Sequence, residues 1–433
     1  MAARQARRVV VACLVGTSLE WYDFFLYGTA AALVFGRLFF PDADPAVATL
    51  LAFATYGVGF VARPIGAVVF GHFGDRVGRR NVLAVTLLVM GMGTFLIGLL
   101  PTYATIGVVA PVLLVLLRFV QGLSLGGEWG GAVILATEHT GDRWRGLAAS
   151  WVQVGVPAGN LLAAGTLGLA SLLLSESAFT TWGWRVPFLL SGVLALVGMW
   201  IRRSVAESPL FAELPAPARM PLAEVLRTHP RALGSAFCAR IGVDVVFYIF
   251  TLYLLTYLVD EVGVSRSTGL NAVFVASAAQ LVLIPAFGAL SDRLGRRPVY
   301  LAGALAAAGW VFVFFALLDT GSFPMIVLAV GVALLIHAAM YGPQAAFIAE
   351  LFTTRLRYSG TSLGYQLAGV AGGALAPIVA ILLFDQFHTT VAISLYVVGA
   401  LAVTVLGLAF APPRSPDPDP LSIMGRRTVG AGR

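Results

Sequence analysis

The stretch SLEWYDFFLYG, residues 18 to 28, sets two carboxylates, Glu20 and Asp23, among aromatic and aliphatic side chains. A charge at lipid depth costs about 3 kcal/mol or more and persists where it faces a partner inside a helix bundle, so acids in such a run mark a functional site. Arg63, Arg118, Glu128, Arg240 and Asp244 lie in equally apolar runs. Their spacing gives shared faces. Glu20, Asp23 and Tyr27 follow at three and four, Arg118, Gln121 and Leu125 do the same, and Arg240 precedes Asp244 by four. Four acids thus face three arginines. Arginine stays charged, so one acid is left over and is best kept protonated, which makes it a natural proton carrier.

The elements that hold these residues follow from composition. The chain has 433 residues, is 59% hydrophobic and only 11% charged, and has a mean hydropathy of +0.88. Soluble domains carry about a quarter of their residues charged, so this is an all-α membrane protein. Charge-free runs such as 82–100 and 389–411 approach the roughly 20 residues that cross a bilayer as a helix. They lack the alternation of barrel strands. About twelve spans are read: 9–36, 48–72, 81–100, 105–135, 148–174, 187–201, 231–258, 268–290, 298–318, 323–350, 360–384 and 389–411.

All 28 basic residues are arginines, and 22 of them fall in the two termini and alternate loops, against Arg37, Arg185 and Arg266 on the other side. Cytoplasmic loops collect positive charge, so both termini are expected in the cytoplasm of a multi-pass cell-membrane protein. The basic pI of about 9.7 is then topology, and no nucleic-acid partner is implied. The N-terminal run continues apolar through Phe40 without a convincing cleavage site, so it reads as an uncleaved first helix. Cys13 and Cys238 read as small buried residues. No P-loop or metal-ligand cluster is present, and no cofactor is expected.

The spans fall into two halves. GHFGDRVGRR (71–80) and GALSDRLGRR (288–297) agree at six of ten positions at an offset of 217, and Glu138…Arg145 echoes Glu350…Arg357 at an offset of 212. Internal repeats point to a transporter with its site between the halves near the midplane. The expected organisation is an N-terminal six-helix bundle (1–201), a proline-rich cytoplasmic linker (202–230) with a short helix at PLAEVLRTH, a C-terminal six-helix bundle (231–411) and a disordered tail (412–433). In the DRxGRR loops, glycines permit tight reversal and the aspartate can cap a helix start or meet a neighbouring arginine.

These loops resemble the signature of the major facilitator superfamily. SLEWYDFFLYG, RPIGAVVFGHFGD (63–75), RFVQGLSLGGEWGGA (118–132) and YGPQAAFIAELFTTRLRYSG (341–360) resemble its metabolite:proton symporter branch. The resemblance implies two six-helix bundles, alternating access and small carboxylate or zwitterionic substrates such as shikimate, 2-oxoglutarate, citrate or proline/betaine. It implies Asp23 opposite Arg118 as the coupled pair, with Glu20 and Glu128 as alternate proton carriers. The short tail has no heptad pattern, which argues against the osmosensing members with coiled-coil tails.

Protonation of Asp23 would free Arg118 to bind a carboxylate bidentately. Further candidates for substrate contact are Arg63, Arg240, Asp244, Tyr27, Gln121, Gln153, Asn160, Tyr248, Gln280, Tyr341, Gln344 and Gln366, each of which can equally be interhelical glue. Arg63 precedes Pro64 and can alternatively satisfy carbonyls freed at a kink; Arg240 and Asp244 can be a purely structural pair. His337, the only histidine well inside a span, reads first as hydrogen-bonded structure and second as a proton relay.

Gating is expected of Asp75, Arg76, Arg79, Arg80, Asp292, Arg293, Arg296 and Arg297, latched by Glu138, Arg145, Glu350 and Arg357 when the cytoplasmic side is shut. The expected function is proton-coupled symport by a monomer driven by a proton gradient. The alternative is a drug or metabolite antiporter. An intramembrane enzyme would need paired catalytic groups or metal ligands, and a receptor a sizeable soluble domain. Neither is found in the sequence.

Overall fold

The computed structural model describes residues 2–203, 207 and 221–414. Among them, twelve helices are long and apolar enough to cross a membrane, and no strand occurs. They are α1 (Ala2–Ala30), α2 (Pro45–Val77), α3 (Arg79–Leu99), α4 (Val109–Glu138), α5 (Arg145–Leu173), α6 (Arg185–Arg203), α7 (Pro230–Tyr248), α8 (Arg266–Leu294), α9 (Arg296–Leu318), α10 (Phe323–Glu350), α11 (Arg357–Ala368) and α12 (Thr390–Ala409). Helices α7 and α11 continue beyond π-helical segments, Ile249–Tyr253 and Gly369–Ala374, into Leu254–Asp260 and Ala376–Phe387. A third π segment, Ala31–Phe35, extends α1. The two halves thus place a π turn at the same point of their first helix, 218 residues apart. Each π turn inserts a residue and re-aims the side chains beyond it.

In the first half α1 packs on α5, α2 on α4 and α3 on α6; in the second α7 packs on α12, and α8 and α9 on α10. The result is two six-helix bundles joined along α5 with α8 and α2 with α11. Large apolar side chains such as Leu172, Trp200 and Val282 stay exposed on the outside, where lipid replaces water. Prolines 64, 157, 285 and 343 sit inside helices, which bundle neighbours make tolerable.

The DRxGRR segments are tighter than loops. Asp75 and Asp292 fall in the last turns of α2 and α8, and the chain reverses at Gly78 and Gly295 alone, whose φ of 109° and 94° disfavours a side chain. Where the bundles meet, α5 and α8 approach at Gly146 and Gly288: a Cβ on Gly146 would stand 2.6 Å from the Gly288 carbonyl oxygen. The expected linker helix is Pro221–Thr228, which buries its own Val225. Most of the linker, and the tail from 415 on that was expected to be disordered, lie outside the described residues.

Candidate functional site

In the N-terminal bundle the guanidiniums of Arg63 and Arg118 lie against a shared aromatic shelf. Arg118 stands 4.6 Å from the Phe24 ring centroid, 4.5 Å from Tyr27 and 4.8 Å from Tyr56; Arg63 stands 4.3 Å from Phe24, 4.1 Å from Phe60 and 5.4 Å from Trp21. Aromatic faces attract cations without neutralising them. Among the described residues the one hydrogen bond of Arg118 runs from Nη1 to Gln121 Oε1 (3.3 Å), and Gln121 donates to Thr94 (2.7 Å). Nε and Nη2 of both arginines are buried without hydrogen-bond partners among the described residues. Arg63 makes no hydrogen bond to a carbonyl near Pro64 among the described residues. Tyr27 is fixed by Thr55 (2.6 Å).

The acids of α1 turn elsewhere. Asp23 accepts a hydrogen bond from Ser191 of α6, and no cation lies within 4.0 Å of it among the described residues. Glu20 is fully buried, and neither of its oxygens has a hydrogen-bond partner among the described residues. Glu128 is held bidentately by Arg202 of α6 and accepts from Thr86 at 3.0 Å.

A cavity between the halves is lined in part by Arg240, Asp244, Phe247 and Tyr248 of α7. Arg240 donates from Nε to Asp244 (2.6 Å), while its Nη1 is buried without a hydrogen-bond partner among the described residues. Its guanidinium lies 3.0 Å from the Tyr365 ring centroid, and Tyr365 stacks on Trp129 of α4. Trp129 donates to Gln153 of α5 (2.6 Å), whose amide donates on to the Tyr341 carbonyl of α10 (3.3 Å). The stack therefore ties Arg240 to both bundles. Tyr248, His337 and Tyr341 line the cavity from the second half, and Trp21 and Pro157 from the first.

On the arginine-rich side the bundles are pinned together. Asp75 accepts from the backbone N–H groups of Tyr358 (3.2 Å) and Ser359 (2.9 Å), at the start of α11. Asp292 accepts from Gly146 and Leu147 (both 2.8 Å), at the start of α5. Each aspartate thus caps the first turn of a helix in the opposite half, satisfying open donors and meeting the positive end of that helix. Glu138 is ion-paired with Arg79 and with Arg357 (2.8 Å); Arg296 pairs with Asp292 (2.6 Å) and Glu350 (3.3 Å). Burial holds His139 below the usual histidine range, so it adds no positive charge beside Arg79.

Comparison with known proteins fits this geometry. Residues 8–216 match the family described as sugar (and other) transporters, and residues 233–429 match the major facilitator superfamily. The inner membrane metabolite transport protein YhjE of Escherichia coli is 42% identical over 412 residues, covering 93% of each chain. The chain belongs to the major facilitator superfamily. The shikimate transporter of Escherichia coli is 41% identical (88% of this chain, 89% of that one), and the proline/betaine transporter of Salmonella typhimurium 33% (93% and 82%). Among solved structures, the proton:xylose symporter XylE bound to 6-bromo-6-deoxy-D-glucose superposes with a TM-score of 0.78 at 16% identity, covering 95% of this chain and 97% of that one, a likeness of fold.

In this major facilitator transporter several expected contacts differ. Asp23 and Arg118 do not pair; the rotation of α1 turns Asp23 to α6 while Arg118 turns to the aromatic shelf. The count of three arginines was one short, because Arg202, read as a loop charge, reaches back into the bundle to Glu128. Arg145 pairs with Asp142 (3.0 Å) rather than with a DRxGRR segment. Arg76 is exposed beside His72, the Arg80 backbone N–H donates to Glu207, and Arg293 is exposed. Arg297 donates to the carbonyls of Ala411 and Pro412. Gln344 is turned to Tyr300 (2.8 Å), and Gln366 to the Leu125 carbonyl of the other bundle (3.2 Å). Asn160 is half-buried on α5 and makes no hydrogen bond among the described residues.

Proposed function

We propose that this transporter is a proton-coupled symporter of small carboxylate-bearing metabolites, working by alternating access in the inner membrane with its arginine-rich side and both termini in the cytoplasm. One observation carries the reading: among the described residues Asp23 is buried on a hydroxyl with no cation within 4.0 Å, while Nε and Nη2 of Arg118 have no hydrogen-bond partner. A buried carboxyl without a counter-charge is a group that holds a proton, and a buried arginine without one is a seat for an anion. Loss of the proton would draw the two together and expel the anion, so proton and substrate favour one another. The names of the relatives, a shikimate transporter and an inner membrane metabolite transport protein, support substrate class and location.

The test is uptake into proteoliposomes under an imposed pH gradient, with labelled shikimate, citrate, 2-oxoglutarate and glycine betaine. Accumulation of a carboxylate on the alkaline side is expected. Expulsion against the gradient would instead make the protein an antiporter, and accumulation of betaine alone would restrict the proposal to zwitterions and remove the anionic acids from it.

The capped helix starts act as the cytoplasmic latch in the same scheme. Asn in place of Asp75 loses the charge at the α11 start and offers one acceptor where two were used. Asp75→Asn is expected to slow net transport about tenfold, with equilibrium binding of the transported acid within about twofold. Equal losses in both measurements would remove Asp75 from the latch.

A further inference from the structure

His337 is buried to 3% exposure in α10 and lines the central cavity. Its ring stacks on Tyr341 (centroids 5.0 Å apart, planes at 27°) and lies 5.2 Å from Phe247, so its plane is fixed. The hydrogen bonding of Gln280, one helix away on α8, decides which ring nitrogen carries the hydrogen. The Gln280 amide nitrogen lies 3.2 Å from the Leu334 carbonyl oxygen and 3.0 Å from His337 Nδ1. A carbonyl oxygen only accepts, so the side of the amide facing Leu334 must be the NH2 group; turning the amide over would set oxygen against oxygen. The same NH2 group then donates to His337 Nδ1, which must carry a lone pair. A neutral imidazole with Nδ1 as acceptor has its hydrogen on Nε2. A protonated ring would set an N–H against an N–H, which counts against a proton relay here. Nε2 has no hydrogen-bond partner among the described residues, and it is not among their sealed, unsatisfied atoms. It is an obligate donor left to the cavity, which Arg240 and Asp244 also line.

We propose that His337, locked by Gln280 as its Nε2–H tautomer, is a specificity residue that donates a hydrogen bond to a substrate oxygen beyond the carboxylate, so that the site selects hydroxy- and oxo-carboxylates over their unsubstituted analogues. This rests on the carboxylate-symport reading above. A polar site built for such an oxygen rejects the analogue that lacks it, because the donor is then buried unsatisfied.

The test uses full-length protein in proteoliposomes under a pH gradient and three matched pairs of labelled acids: shikimate and cyclohex-1-ene-carboxylate, malate and succinate, 2-oxoglutarate and glutarate. For a pair that is transported, His337→Phe, which keeps the aromatic stack, is expected to reduce the kcat/KM preference for the oxygenated member by about tenfold or more. His337→Gln, which keeps an N–H, should retain most of that preference. An unchanged ratio in His337→Phe, or equal loss of both members, overturns the inference alone. Should none of the six acids accumulate, the symport reading and the inference fall together. A readout independent of transport is 15N NMR of histidine-labelled protein, with the His337 signal assigned by its loss in His337→Phe. The Nε2–H tautomer is expected in the native protein and a mixture in Gln280→Leu; a native Nδ1–H signal overturns the lock.

Discussion

Asp23→Asn is expected to abolish accumulation driven by a pH gradient while leaving exchange of labelled for unlabelled substrate within a few-fold of the native rate. Asparagine copies the shape and neutrality of a protonated carboxyl and can still take the Ser191 hydrogen bond. The loaded carrier therefore still forms and crosses. It cannot release a proton, so the gradient has nothing to act on. One pH unit corresponds to about 1.36 kcal/mol per proton, a tenfold accumulation for one-proton coupling. The variant should equilibrate its substrate at a ratio of about one. Uptake and counterflow in the same proteoliposomes separate the two properties. Retained accumulation in Asp23→Asn together with its loss in Glu20→Gln would transfer the role to Glu20, whose two oxygens are buried without hydrogen-bond partners among the described residues.

The architecture was legible because it rests on properties that composition records. Charge-free runs of span length, a one-sided arginine distribution and the recurrence of DRxGRR need no knowledge of which helix neighbours which. The ends of α2 and α8 were read a turn or so short, since Asp75 and Asp292 looked like loop residues and are helical. Burial of Glu20, Asp23, Arg63, Arg118, Arg240 and Asp244 was legible from their setting. The i,i+4 pair of Arg240 and Asp244 was legible too, because it is local. Partners across helices were not. Whether Asp23 meets Arg118 or Ser191 depends on the rotation of α1 and its depth relative to α6, and a change of about 100° in rotation, one residue, exchanges the neighbours. Arg202 was misjudged for the same reason. It ends an apolar run beside Arg203, the pattern of a membrane-edge charge, yet its long side chain reaches inward to Glu128. The π turns at Ala31–Phe35 and Ile249–Tyr253 have no shared motif, and only their matched positions in the two halves mark them as features of the repeat.

Arg202→Met is expected to be the most destabilising single change in the N-terminal bundle. Glu128 takes both guanidinium nitrogens, and Arg202 Nη1 also donates to the Leu83 carbonyl (2.6 Å), so the pair ties α4 to α6 and α3. Removing one partner of a buried pair leaves a desolvated charge and costs about 3–5 kcal/mol, whereas removing both charges together can be close to neutral. Glu128→Gln with Arg202→Met should therefore recover most of the loss, because glutamine can still accept from Thr86. Thermal unfolding of the detergent-solubilised protein, read for the native chain, both single variants and the double variant, gives the coupling between the two sites, expected to exceed about 2 kcal/mol. A single Arg202→Met variant as stable as the native chain would mean that Glu128 takes up a proton when its cation is gone. Two protonatable acids, Glu20 and Glu128, would then share the interior of one bundle, and the search for the coupling proton would move from Asp23 to that cluster.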